Sequence, residues 1–187
     1  MDRRVIKTKT AIRDVFFELL REKELTKITV AEISRRANID RKTFYLHYTS
    51  VEGILEEFSA DRMNELVERL RETVFFEEPL RLGIIFDVIN DMVERDFRYY
   101  KDLVIVGYDA FWDQVHELLV GALMDVYGEK VSVSADDFKI YCNFFVSGVI
   151  HMYMDYLRDP QALTPERLGR IMIDIASHGV SGVMKTI

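Results

Sequence analysis

Hydrophobic positions near the start of the chain recur at helical spacing. Ile12, Val15, Phe16, Leu19 and Leu20 stand at i, i+3, i+4, i+7 and i+8, which predicts a helix with one apolar stripe. A second, short helix is expected to open at Thr29-Val30-Ala31-Glu32, where a hydroxyl followed three residues later by a carboxylate forms a capping box. Its apolar side is Val30, Ile33 and Ala37. A third is expected to start at the N-cap Asp40 and run over 41–47.

Longer helical patterns follow. They are expected over about 51–73, from Pro79 to near Arg98, and over about 110–127, with Gly128 as a stop. Another begins at Ser134, with Asp136 and Asp137 complementing the dipole of its first turn, and ends before Asp159-Pro160. The last opens at Thr164-Pro165-Glu166 and runs into the 180s. Strand-like alternation is confined to about 130–134. The expected fold class is all-α: an N-terminal three-helix module over 1–50, then a larger helical domain over 51–187.

Composition sharpens this division. All 9 Gly and all 3 Pro lie after Ser50, so the first fifty residues turn without glycine. The chain carries a net charge of -7, which by itself argues against a polyanionic partner. Residues 1–50 hold 12 Lys+Arg and 7 Asp+Glu, a charge of 12 - 7 = +5, and the remainder holds 13 and 25, a charge of -12. A basic end on an acidic body points to a polyanion for that end alone. The single cysteine, Cys142, excludes an intrachain disulfide and suits a reducing, cytoplasmic setting. The N-terminus has no apolar signal core. The apolar stretch 140–157 is interrupted by Asn143, His151 and Asp155 and reads as a buried helix rather than a membrane span.

The chemistry concentrates in residues 29–58. Two short helices joined at Asn38-Ile39 form a helix-turn-helix, which lays its second helix in the DNA major groove. The turn calls for one left-handed residue, and Asn adopts that conformation best after glycine. On a helical wheel, Arg41, Lys42, Tyr45 and Thr49 share one side, opposite Phe44 and His47, with Tyr48 beside Phe44. Arg reads guanine by a bidentate contact, Lys neutralises phosphate, and Tyr bonds phosphate or stacks. Leu46 flanks this face, within reach of a thymine methyl. Thr29, at a helix N-terminus, suits a phosphate.

The segment Thr43-Phe44-Tyr45-Leu46-His47-Tyr48, followed by Gly53-Ile54-Leu55, resembles the recognition-helix signature T-[LF]-Y-x-H-[FY] of TetR-family transcriptional regulators. The resemblance covers about a third of the chain. It implies DNA contacts at Thr29, Arg41, Lys42, Thr43, Tyr45 and His47, with Phe44 and Tyr48 packing inward. Two positions depart from the pattern. Ala37-Asn38-Ile39 replaces the usual Ala-Gly-Val, and Val51 stands where a phosphate-binding Lys is common. The missing Lys shifts weight onto Arg41, Lys42 and a basic arm of Arg3, Arg4, Lys7 and Lys9.

The resemblance further implies a homodimer joined through the last two long helices, a palindromic double-stranded DNA operator, and release by a small-molecule effector. The alternative is an activator or co-regulator working through a protein partner. The stripe Leu168, Ile171, Met172 and Ile175, and a 140–157 helix apolar nearly all round, agree with dimerisation. Tyr100, Phe111, Trp112, His116, Phe145, Met152 and Tyr153 are the candidate effector-pocket residues, although each alone reads as ordinary core. The enzyme reading is weak. There is no phosphate loop, metalloprotease motif or nucleophile elbow. The i, i+4 pairs His151/Asp155 and Asp174/His178 are ordinary helix pairs more often than metal ligands. No catalytic residue, metal or cofactor is expected.

Overall fold

The structure, a computed structural model, describes residues 3–72, 82–161 and 163–180, apart from the side chains of 82 and 176–180. Among these residues it is all-helical, and the chain divides into two compact units, Met1–Arg62 and Met63–Ile187.

In the first unit, α1 (Arg3–Glu22) is followed by a 3₁₀ turn (Leu25–Lys27), α2 (Val30–Arg36), α3 (Arg41–Tyr45) and the opening of α4 (Glu52–Arg71). Helix α1 buries Ile12, Phe16, Leu19 and Leu20 as its spacing predicts, and Phe17 as well, while Val15 is half-buried. The extra residue follows from packing on two flanks. Phe17 meets Phe16 edge-on at 5.4 Å and Phe58 of α4 at 5.2 Å between ring centroids. The apolar arc is therefore wider than one stripe. Ile33, Phe44, Ile54, Leu55 and Phe58 complete this core.

The second unit contains the rest of α4, then α5 (Leu82–Arg95), α6 (Phe97–Val106), α7 (Asp109–Tyr127), α8 (Ala135–Arg158) and α9 (Pro165–Val180). Helix α8 is central, packing on α6, α7 and α9. Its inward face is Phe138, Cys142, Val146, Val149, Ile150, Tyr153, Tyr156 and Leu157. The Tyr153 hydroxyl donates to Asn90 Oδ1 at 2.6 Å, satisfying a polar group that burial would otherwise penalise. Burial raises the Cys142 thiol to about 11, so it stays protonated and unreactive at neutral pH.

Several elements differ from expectation. The single helix expected to reach Arg98 is instead two, broken at Asp96; Pro79 lies outside the described residues. No Gly or Pro marks the break. Arg95 turns its guanidinium onto Glu65 at 2.6 Å and Asp96 at 3.0 Å, and the next turn buries Tyr100, Leu103 and Val104 on a new face. Helix α6 then ends at Gly107, whose φ of 70° is left-handed. Gly128 caps α7 with right-handed backbone. Its glycine serves clearance, since a Cβ there would stand 2.6 Å from the Met124 carbonyl oxygen. The alternation over 130–134 forms no strand. No described helix is long and apolar enough to cross a membrane.

Candidate nucleic-acid interface

The reading head is built from local hydrogen bonds. Thr29 is the N-cap of α2, and its hydroxyl oxygen accepts from the Glu32 N–H at 3.3 Å. That leaves the hydroxyl proton free to donate outward from an exposed position. Helix α2 closes in a Schellman motif: the Ile39 N–H donates to the Ser34 carbonyl at 3.0 Å and the Asn38 N–H to the Arg35 carbonyl at 3.4 Å. Asn38 takes φ 54°, the left-handed residue that the turn requires. Asp40 then caps α3, with Oδ1 accepting from the Thr43 N–H at 2.7 Å. The bond holds its carboxyl below the usual range.

Helix α3 ends at Tyr45, two residues before the expected end, and Leu46 and His47 form a turn. The shortening does not alter which side chains face out. Arg41, Lys42, Tyr45, Leu46 and Thr49 are exposed, Tyr45 to 57% and Leu46 to 76%. Phe44 and Tyr48 are buried with rings 5.8 Å apart. Thr43 and His47 are half-buried at the margins, so His47 does not lie on the buried side where the wheel puts it. A cationic and phenolic surface is thus carried on a short apolar anchor. It offers donors to phosphate and base edges.

Other cations are engaged inside the module. Arg36 forms a bidentate pair with Glu22 at 2.7 and 2.6 Å, drawing the carboxyl below its usual range, and Lys23 meets Glu32 at 2.5 Å. Arg35 is exposed, and sequence reasoning did not single it out. The basic arm is no free arm, because Arg3, Arg4, Lys7 and Lys9 lie in α1. Lys9 is bonded to Glu57 of α4. Val51, at the position of the absent Lys, is buried.

The seven aromatic and polar side chains considered for an effector fall in different surroundings among the described residues. Tyr100 and Phe111 are buried 5.9 Å apart between ring centroids, and Tyr153 is tied to Asn90. Trp112 and His116 line an open cleft with Asp109, Asp113 and His151. His116 Nε2 lies 3.1 Å from the Ser147 hydroxyl. Met152 is half-buried. Phe145 alone lines the enclosed apolar cavity, of about 20 Å³, together with Leu70, Phe86, Leu119 and Val149. Among the described residues no three His, Cys, Asp or Glu side chains gather as metal ligands would.

Comparison with known proteins agrees with this geometry. The family model for bacterial regulatory proteins of the tetR family matches residues 12–58. The HTH-type transcriptional regulator YxbF of Bacillus subtilis (strain 168) is 25% identical over 177 residues, 91% of this chain; the chain spans 44% of that relative's length. A TetR transcriptional regulator from Streptococcus agalactiae 2603V is 26% identical, with 93% of this chain and 96% of that one superposing at a TM-score of 0.66. NalD, the secondary repressor of the MexAB-OprM multidrug efflux pump in Pseudomonas aeruginosa, shares the fold over the full length of both chains, with a TM-score of 0.68 at 18% identity. These relatives are regulators and not enzymes. Residues 12–58 thus match the DNA-binding segment of bacterial regulatory proteins of the tetR family, and the chain as a whole is similar to TetR-type transcriptional regulators.

Proposed function

We propose that the protein is a homodimeric repressor that reads a palindromic operator and is released by a small-molecule effector. The observation that carries the DNA-reading part is the outward set Arg41, Lys42 and Tyr45 over the buried anchors Phe44 and Tyr48. Thr29, Thr43 and His47 supply flanking contacts.

Dimerisation is supported by the outer face of α8 and α9. Ile140, Phe144 and Ile175 are exposed, Phe144 to 81%, around a groove of about 630 Å³ that also includes Phe145 and Met172. A contiguous apolar patch of this kind marks an interaction surface, and a two-fold pair of recognition helices reads half-sites ~34 Å apart. The effector reading rests on the likeness to repressors of this fold, and the apolar cavity of the second unit is where an effector would enter. At about 20 Å³ it holds no more than a water-sized volume, whereas small-molecule pockets run from about 300 Å³. An effector therefore has to select a minor, opened state of this core, which is the means by which a ligand shifts a conformational equilibrium.

Selection of double-stranded DNA from a random pool at low salt, followed by gel shift, tests the reading. Enrichment of an inverted repeat is expected, and no enriched sequence would overturn it. A second reading, an activator or co-regulator working through a protein partner, is favoured by Val51, buried where a phosphate-binding Lys is common. Weak DNA binding alone that becomes tight with a co-purified protein would establish that alternative.

A further inference from the structure

The α7/α8 pair carries an open cleft that the apolar core does not use. Helices α7 and α8 follow one another through a short connection and pack together as an antiparallel pair. His116 Nε2 of α7 lies 3.1 Å from the Ser147 hydroxyl of α8. Beside that contact is a cleft of about 370 Å³. One wall is Asp109, Trp112, Asp113 and His116 of α7. The other is Ser147, Ile150, His151 and Met154 of α8. Each set stands at i, i+3, i+4 and i+7, which makes each a single helix face and gives walls about 10 Å long. None of these residues lines the enclosed apolar cavity.

The two walls differ in chemistry. Asp109 and Asp113 are exposed, and neither has an ion-pair partner among the described residues. No Lys or Arg lines the cleft. Asp109 opens α7, where the helix dipole supplies roughly half a positive charge; two carboxylates outweigh it, so the cleft favours cations. Trp112 belongs to the same face. Its ring packs edge-on against the buried Phe111, 5.0 Å between centroids. Its indole N–H is buried with no acceptor among the described residues, so packing alone sets the angle of the ring. Indole is the strongest cation–π partner among side chains. Across from it, Ile150 and Met154 offer apolar surface.

We infer that this cleft binds a small organic cation, an amine or quaternary ammonium with an apolar body of about one ring. Asp109 and Asp113 neutralise the charge, Trp112 covers it, and Ile150 and Met154 receive the apolar body. A metal ion does not fit, because no three His, Cys, Asp or Glu side chains converge among the described residues. An anion would meet two carboxylates and no cationic side chain. The volume of about 370 Å³ falls within the small-molecule range, which starts near 300 Å³. Unlike the apolar cavity, the cleft is already open and needs no rearrangement of the core. Ser147 and His151 also line the groove of α8 and α9, but the carboxylates and the indole do not. The site is thus additional to the effector entry proposed above, and it does not depend on DNA binding.

Trp112 is the only tryptophan of the chain, so its fluorescence reports on this cleft. The full-length protein is titrated with benzyltrimethylammonium, benzyl alcohol and benzoate, which share a ring and differ in charge. A saturable change in emission is expected with the ammonium, at about ten-fold lower concentration than with the alcohol, and none with benzoate. Asp109→Asn and Asp113→Asn should each weaken ammonium binding about three-fold, the scale of an exposed ion pair. The double variant should bring it near the level of the alcohol, whose own binding stays that of the parent. Trp112→Phe, followed by calorimetry, should also cost the ammonium about three-fold. Where Asp109→Asn lowers the helicity measured by circular dichroism, Asp113→Asn, one turn further in, carries the test. Absence of saturation, equal binding of the ammonium and the alcohol, or ammonium binding that survives both Asn substitutions would each overturn the proposal. A chain that binds the ammonium but selects no DNA would overturn the operator reading and leave this site standing.

Discussion

Asn38 shows how much one residue can carry. Its φ of 54° closes α2 and aims α3, and a β-branched side chain is disfavoured there by about 1–2 kcal/mol. Asn38→Val is expected to lower stability by that amount in urea titration, with Asn38→Gly within ~1 kcal/mol of the parent. On the reading face the roles separate by chemistry. Arg41→Ala should cost about 1–3 kcal/mol of DNA affinity and relax base choice at one position. Lys42→Ala should weaken all sequences alike and reduce the salt slope by about 0.9. Leu46, 76% exposed, makes no contribution to the core that its loss would remove. If its partner is a thymine methyl, replacing that thymine by uracil should cost the parent about 0.8 kcal/mol, the value of one buried methyl-sized group. The same replacement should cost Leu46→Ala nothing. Equal losses for both proteins would rule out the contact.

At the scale of the element, α3 is short, and its start depends on Asp40. The carboxyl is drawn below its ordinary range by the Thr43 N–H. A lowered native value means that this stabilisation is complete above the unfolded value, near pH 4, and is lost as the pH falls through the native one. Asp40→Asn keeps an accepting oxygen but does not titrate there. The difference between parent and variant should therefore change only in acid, which exchange at residues 41–46 would report. An equal difference at pH 3 and pH 6 would refute this. Caps, turn and recognition face were all readable in the sequence because each is made by residues within about five positions of one another. The break at Asp96 was not, since it lacks Gly or Pro and is made by Arg95 reaching Glu65 and by burial of the following turn.

For the whole molecule, the exposed apolar face of α8 and α9 makes a prediction about assembly. Phe144→Glu with Ile175→Glu places charge on residues that are already exposed in the single chain. The variant is expected to keep the parent's circular dichroism while sedimenting as a monomer, and to lose cooperative binding to a two-half-site operator. A variant that remains dimeric would refute this interface. Charge is also divided at this scale, +5 on residues 1–50 and -12 on the rest. The acidic majority repels DNA, so affinity depends on the few cations of the reading head, and its fall with salt should have a slope set by the number of phosphates they neutralise.

By itself the sequence determined the local alphabet of the protein. It specified which segments are helical, how they are capped, where the glycine-free turn lies, and that Phe44 and Tyr48 face away from Arg41, Lys42 and Tyr45. Those features follow from propensities, hydrogen bonds and periodicity acting over one or two turns. Tertiary structure alone decided the rest: that Phe17 is core, that Arg36 is held by Glu22 and Lys9 by Glu57, that 140–157 buries one face and exposes another, and that the candidate effector residues fall into different environments. Their partners lie 14 to 48 residues away in the ion pairs. Neither periodicity nor charge count says which of several carboxylates a cation will find once the chain has folded.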